Sequence, residues 1–384
     1  MKTKKVLIIN FENHNRAGGI ETYLRKLMQI LKELNYEVHE YSLCENLQPE
    51  VCEKLDFVHQ VDVKRKIYVQ TEDVLKTIPW WKVLPMAIGD LRALVAQRDQ
   101  LKEIAHNYDL IIDNTYVFTF LNDADHDKIL WIQHNDFLFL KKVGQPFRAI
   151  LKKFLKLKYP YLDIKRKVVY SEASMKLYKE IFPQKYFDNS VFYSVFLACP
   201  TYQYESIDVE KKREGPVLFM GRLDDVKQKR TDLVDKIAKH LNRPIYAYGS
   251  YSQKLTKKYK NLSYKGRYSA ATDLPDIFAK ASLTLITSEF EGVPFLALES
   301  IHHSTPIALR NTFAEANHLL KNKNGLLLDK KASPKVMAEQ IKNFLNEKEN
   351  YHQAVKKTQA IQKFYTNEMF VEKWKEIIKK IESE

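Results

Sequence analysis

Of the three acids in the stretch SEFEGVPFLALES, residues 288–300, two flank an apolar run: Glu291 before Gly-Val-Pro, and Glu299 beyond it. An apolar run, LTLIT, comes just before them. Carboxylates accept hydrogen bonds from vicinal hydroxyls, so sugars are natural partners for such a pair. Pro294 suits the first turn of a helix, over PFLALESIHH. The free N–H groups at such a start favour a phosphate. On spacing alone the same acids also read as a helix-dipole partner (Glu291) and an exposed helix residue (Glu299).

A second constellation is FMGRLDDVKQKRTDLV. Gly221 permits a tight exit from a strand that ends at Arg222. Lys227, Lys229 and Arg230 precede the helical pattern TDLVDKIAKHL. Cations converging on a helix start can hold a diphosphate by charge and backbone donors together. The same loop also reads as a solvated basic turn in a chain with 62 Lys and Arg. Near the N-terminus, NHNRAGGIETY puts Gly18 and Gly19 between a first strand and a first helix, where glycine lets the backbone approach a ligand. His134, in WIQHND, stands at the end of another strand; a lone histidine is more often a structural hydrogen-bonding group than a catalyst. The Asp-x-Asp of NDADHD (122–127) precedes a strand instead of following one, so it reads as a loop and no metal site is expected.

The elements that must position these residues alternate along the chain. Strands are expected at 5–10, 36–43, 109–115, 128–134 and 167–172. A second series covers 216–221, 244–249, 262–266, 283–288, 306–310 and 325–329. Helical patterns fill the intervals, as in IETYLRKLMQILKELN. Strand–helix alternation predicts parallel sheets covered on both faces. The series breaks at 197–215, a polar stretch closed by Gly-Pro that reads as a linker. The expected organisation is therefore α/β, with two doubly wound Rossmann-like domains facing a deep cleft. Residues 1–197 form the first domain and 198–364 the second. The helix of 365–384 packs back on the first domain. Ligands of such sheets sit at the carboxyl ends of the strands, where Glu291 and Arg222 fall.

Bulk properties narrow the function classes. With 384 residues, 45% hydrophobic and 29% charged, the chain is globular and long enough for two cores. No apolar run approaches the roughly 20 residues of a membrane span, and KVLIIN reads as a strand, not a signal peptide. Three cysteines without CxxC pairing fit a reducing cytoplasm. The net charge of +14 favours anionic partners. Nucleic acid is not expected, for want of basic–aromatic repeats or a recognisable module. Residues 146–160 are amphipathic with a basic face, and read either as the covering helix of a βαβ unit or as a surface for anionic lipid. Trp80 and Trp81 in 77–91 suit a membrane interface, core or an acceptor wall.

Taken together, GGIET, QHND, GRL…K, EGVPFLALES and STPIALR resemble, in order and spacing, the family 4 glycosyltransferases of GT-B fold. The resemblance runs from the first strand to NGLLL, and implies that residues 1–197 are the acceptor-side domain and 198–364 the nucleotide-sugar-binding domain. It implies that Glu291 faces the donor sugar and Glu299 holds the ribose hydroxyls of the nucleotide. Arg222 and, by the K-x-x-D pattern ending at Asp232, Lys229 in preference to Lys227 would meet the donor diphosphate. Gly18 and Gly19 would approach the donor phosphates, with Gly221 at the strand exit. Gly292, Val293, Pro294 and Phe295 would lie along the sugar, and His134 beside it. Glycine is common in the family where this chain has Arg230, Pro294 and Ser304.

The resemblance also implies a retaining hexosyltransferase without cofactor or metal, using a nucleotide sugar, expected to be a UDP-sugar. Its acceptor would be a cell-surface glycan, a glycolipid or a polyanion of the teichoic-acid type. The expected location is the cytoplasm, at the inner face of the membrane, with peripheral contact to anionic lipid. The alternative is a non-catalytic GT-B partner subunit that binds glycan or another transferase.

Overall fold

The computed structural model describes residues 3–15, 18–44, 54–66, 80–115, 119, 121, 126–143, 159–188, 190–196, 208–269 and 272–384, with backbone only at 80–91, 126, 142 and 143. Two compact units result: Met1–Val195 with Val371–Glu384, and Phe196–Phe370.

The N-terminal unit holds a seven-stranded sheet in the order β3-β2-β1-β4-β5-β6-β7. Its strands are β1 (Lys4–Asn10), β2 (Tyr36–Ser42), β3 (His59–Gln60), β4 (Leu110–Asp113), β5 (Ile129–Ile132), β6 (Arg166–Val169) and β7 (Val191–Ser194). Every pairing is parallel. Residues 6–9 of β1, VLII, are at most 2% exposed, as expected of a strand with both faces covered. The helix Gly19–Glu33 covers one face with Tyr23, Leu24, Leu27, Met28, Ile30 and Leu31, a 3.6-residue stripe. Asn35 ends it in the left-handed region, φ 62°, where asparagine is tolerated.

The last helix, Asn367–Ser383, supplies Trp374 to this unit, fully buried with its ring 6.2 Å from that of Tyr23. Glu382 pairs with Lys4 and accepts from the Tyr36 hydroxyl, each at 2.7 Å. Glu384 pairs with Arg166 at 2.7 Å.

The C-terminal unit carries six parallel strands in the order β10-β9-β8-β11-β12-β13. They are β8 (Val217–Arg222), β9 (Ile245–Ser250), β10 (Ser263–Gly266), β11 (Leu283–Ile286), β12 (Ile307–Arg310) and β13 (Gly325–Leu328). The period-two alternation of β8 feeds two cores. Val217 and Phe219 join Leu283, Leu285 and Ile341 on one face; Leu218 and Met220 join Leu274 and Phe278 on the other.

Eleven of these strands match the expected runs; β3 and β7 were not anticipated. Of the segment read as a polar linker, residues 208–215 are described: Val209–Glu214 form a helix capped by Asp208, and Lys212 turns inward and donates from Nζ to the Phe278 carbonyl. The amphipathic run 146–160 and the Asp123–Asp125 pair lie outside the described residues, except Tyr159 and Pro160.

Gly221 and Gly249 face one another across β8 and β9, both at φ 128°. A Cβ on Gly249 would sit 1.9 Å from the Gly221 carbonyl oxygen. Gly249→Ala is expected to lose roughly 1–3 kcal/mol or more in urea denaturation, from backbone overlap added to φ strain. Gly266→Ala, at φ 96° with nothing within 4 Å of the added carbon, should lose clearly less. Equal losses would show that close packing is not what Gly249 serves.

Candidate active site of the C-terminal unit

The order of the second sheet reverses between β8 and β11, and in open α/β sheets ligands collect at that switch point. Both acidic–basic constellations of the sequence emerge there. After β8 the chain makes a short helix, Val226–Lys229, capped by the Asp225 carboxylate on the Gln228 N–H. Arg230 then takes a left-handed conformation, φ 58°, and the helix Thr231–Ala238 begins. The expected basic loop is thus partly helical. After β11, residues 287–294 lead to the helix Phe295–His302, with Pro294 at its cap and not in its first turn.

The two loops are bonded together. Lys229 Nζ lies 2.5 Å from Glu291 Oε1, and both side chains are largely buried, at 19% and 11% exposure. The Thr287 hydroxyl donates to the Lys229 carbonyl at 2.8 Å, and the Glu289 N–H to the Gln228 carbonyl at 2.7 Å. Gln228 accepts from Arg222 Nη2 at 2.8 Å and donates to the Phe290 carbonyl at 3.3 Å. Arg222 itself is 67% exposed, with Asp225 3.6 Å away. Lys227 is exposed, whereas Lys229 turns toward Glu291. Gly221 lies against this lysine: a Cβ there would be 3.7 Å from Lys229 Cε. Gly292, Val293 and Pro294 are buried and Phe295 is partly buried.

Glu299 stands apart from that ion pair, in the second turn of its helix, partly buried. Among the described residues no cation or hydrogen-bond donor is paired with its carboxylate. Desolvation pushes its pKa up to about 7. Its charge is felt by Tyr268, whose hydroxyl is raised to about 12, first by burial and then by Glu299.

Sequence reasoning missed the ionic brace beneath the loop. Glu289 Oε2 receives Arg310 Nη1 at 2.6 Å and Arg230 Nη1 at 3.0 Å, and Arg230 also holds Asp232. The hydrogen bond from Arg310 is the main reason that the Glu289 carboxyl stays below its usual range. The signal was the terminal arginine of STPIALR, a cation closing an apolar strand. Two of the three positions where glycine is common in the resembled family, Arg230 and Ser304, have left-handed φ of 58° and 54°. Arg230 is held there by its two acids. Ser304 is held by the Gln362 side chain, which donates to Ser304 Oγ at 3.0 Å and to the Ile301 carbonyl at 2.8 Å.

Gly18, Gly19 and His134 belong to the N-terminal unit. Gly18 caps the helix Gly19–Glu33 and accepts from the Thr22 N–H at 3.0 Å. A Cβ on Gly18 would overlap the Glu21 carboxylate, 2.0 Å away. His134 lies two residues past β5, 7% exposed, with its ring edge-on to Tyr23 at 5.3 Å. Burial pushes its pKa down to about 3, so the imidazole is neutral. Among the described residues no cluster of His, Cys, Asp and Glu could hold a metal, and no helix is long and apolar enough to cross a membrane.

Residues 206–361, most of this unit, match the family model of glycosyl transferases group 1. The C-terminal unit is a group 1 glycosyltransferase domain. Structural likeness extends over the whole chain. Sucrose-phosphate synthase from Thermosynechococcus elongatus superposes with a TM-score of 0.69 at 14% identity, covering 99% of either chain. WaaG, a glycosyltransferase involved in lipopolysaccharide biosynthesis, gives 0.66 at 14%, over 97% of this chain and 99% of its own. Anabaena HepE, in complex with UDP and glucose, gives 0.64 at 13%, over 99% and 100%. Such identities speak for the fold: the glycosyltransferase domain and its N-terminal companion share the GT-B architecture of two parallel-sheet α/β domains. No curated protein sequence matches the chain.

Proposed function

We propose that the protein is a retaining hexosyltransferase of family 4 type, taking a sugar from a UDP-sugar. The acceptor is a cell-surface glycan, a glycolipid or a teichoic-acid-type polymer, reached from the cytoplasmic face of the membrane. The observation that carries the reading is the convergence of Arg222, Lys229 and Glu291 at the switch point of the C-terminal sheet, with the helix start at Phe295 close in sequence. Departure of a nucleoside diphosphate builds negative charge on its β-phosphate. Two cations and the N–H groups of a helix start stabilise that charge. Glu291 orients the sugar and Glu299 the ribose hydroxyls.

In this mechanism the bond from the anomeric carbon to the β-phosphate oxygen breaks. The acceptor hydroxyl oxygen bonds to the same face of that carbon, and its proton passes to the departing diphosphate. No enzyme nucleophile and no resident metal are invoked. HepE, solved with UDP and glucose, supports the choice of uridine.

The test is a thermal-shift screen against UDP-, GDP- and ADP-sugars, followed by anomeric NMR of the product. A UDP-sugar well above its Kd should add roughly 2–3 kcal/mol of apparent stability. An inverted product would sink the retaining assignment. Failure to bind any nucleotide sugar would leave the alternative, a non-catalytic GT-B partner subunit.

A further inference from the structure

On other helices of this chain, lysines stand one turn from an acid and pair with it: Lys176 with Glu180, Lys342 with Glu339 and Lys373 with Glu376. One edge of the C-terminal sheet breaks that pattern. From 236 to 272 the chain has nine lysines and arginines and no aspartate or glutamate. Six of the nine, Lys254, Lys257, Lys258, Lys260, Lys265 and Arg267, are exposed on or beside the edge strand β10 and the helix Gln253–Lys258 that precedes it. Among the described residues no carboxylate pairs with any of the six. The acids that reach this corner are engaged with neutral groups. Asp235 accepts from the Asn261 N–H at 2.8 Å and from its side-chain amide at 3.0 Å. Asp273 accepts from the Ser269 N–H and the Thr272 hydroxyl, each at 2.8 Å. Lys254 and Lys258 are moreover a like-charged pair four residues apart, which works against their helix.

The strip wraps the edge of the sheet. Lys254, Lys257 and Lys258 belong to the helix whose Leu255 enters the core with Val217 and Phe219. Lys265 comes from the opposite face: its ammonium stands 4.0 Å from the centre of the Tyr246 ring, which packs with Leu218 and Met220. A bilayer meets one plane, whereas a flexible chain can follow an edge. Helical neighbours are about 5–6 Å apart, and alternate strand residues about 7 Å. That spacing suits a polymer with a charge on every repeat better than a single phosphate. The tyrosines among the lysines are taken up locally. Tyr251 meets Tyr264 at 4.9 Å, Lys258 lies over Tyr259 and Lys265 over Tyr246. They do not form the stacking platform that single-stranded nucleic acid uses.

We infer that this edge of the C-terminal unit is a docking strip for a linear polyanion, a polymer with phosphate or another anion at each repeat. Naming that polymer as the acceptor rests on the proposed function; the strip does not.

The probe is long-chain inorganic polyphosphate, titrated against the full chain by fluorescence anisotropy. Affinity should fall steeply between about 50 and 200 mM salt, as counterions cease to drive binding. The triple variant Lys254→Ala, Lys257→Ala, Lys258→Ala keeps good helix formers on an exposed helix, so the fold is retained. It should bind about 10-fold more weakly and reduce the slope of log K against log salt by about 2. A control triple, Lys330→Ala, Lys331→Ala, Lys335→Ala, removes the same charge from exposed positions that follow the opposite edge strand, β13. It should stay within about twofold of wild type. Equal losses in the two triples would assign binding to net charge and overturn the inference. So would anionic vesicles of phosphatidylglycerol, or oligo-dT, held by the strip more tightly than polyphosphate. In transfer assays the strip triple should raise KM for a phosphate-repeat acceptor about 10-fold and leave kcat unchanged. An unmoved KM beside lost polyphosphate binding overturns the acceptor assignment alone. Strip-dependent polyphosphate binding by a protein that takes no nucleotide sugar upholds the strip and sinks the proposed function.

Discussion

Replacing Lys229 with alanine is expected to lower sugar transfer by a factor of about 10²–10³, the cost of losing one charged donor to a developing anion. Arg222→Ala should cost less. Its side chain is 67% exposed against 19% for Lys229, so solvent screens its charge more strongly. Because Lys229 also pairs with Glu291, its removal leaves a largely buried carboxylate without its cation, and some loss of stability comes with the variant. The double variant Lys229→Met, Glu291→Gln removes both charges together and separates the effects. Its melting temperature should recover while transfer stays low. Initial rates against a UDP-sugar decide the matter: turnover of Lys229→Ala within about threefold of wild type would remove Lys229 from the chemistry.

Glu299→Gln is expected to act in opposite directions on stability and on donor binding. The folded carboxyl has a pKa of about 7, above its ordinary 4.5. Between those values the folded chain holds more protons than the unfolded one, so stability falls as pH rises through the window. Glutamine abolishes that dependence. The variant should be more stable by on the order of 2 kcal/mol at pH 8 and indistinguishable from wild type near pH 4. Ribose hydroxyls donate best to the ionised acid. Donor affinity of the wild type should therefore rise with pH through about 7, and the variant should bind donor about 10- to 100-fold more weakly. Urea denaturation at the two pH values and donor titration measure the two halves. A variant destabilised at pH 8 would show that Glu299 has a partner in solution that offsets its burial.

The parallel fold was legible because buried parallel strands are near-continuous apolar runs, and runs such as VLII and LTLI are hard to mistake. β3 escaped because two residues carry no periodicity. β7 escaped although the run VFYSVF was there to be read. Within the candidate site, residue types were readable and partners were not. Lys229 and Glu291 lie far apart in sequence, and their contact exists only because β8 and β11 are neighbours. Arg230 read as one more loop cation; its left-handed backbone and its bridge to Glu289 come from the packing of two loops. Glu40, fully buried on β2 and receiving the side chains of Asn10 and Gln60 and the His14 N–H, did leave a trace. Positions 36, 38 and 40 of β2 share one buried register, and an acid in the third of them is out of place unless something inside the sheet needs it.

The buried Trp374 and the carboxylates of Glu382 and Glu384 have a bearing on biosynthesis. The half of the molecule whose translation starts first needs residues from beyond the entire other half to close its core around Tyr23. While the ribosome works through Phe196–Phe370, the nascent amino-terminal half waits with an apolar face uncovered, in the period when chaperones compete with aggregation. The intervening half is continuous in sequence and can mature first, so that the order of completion reverses the order of synthesis.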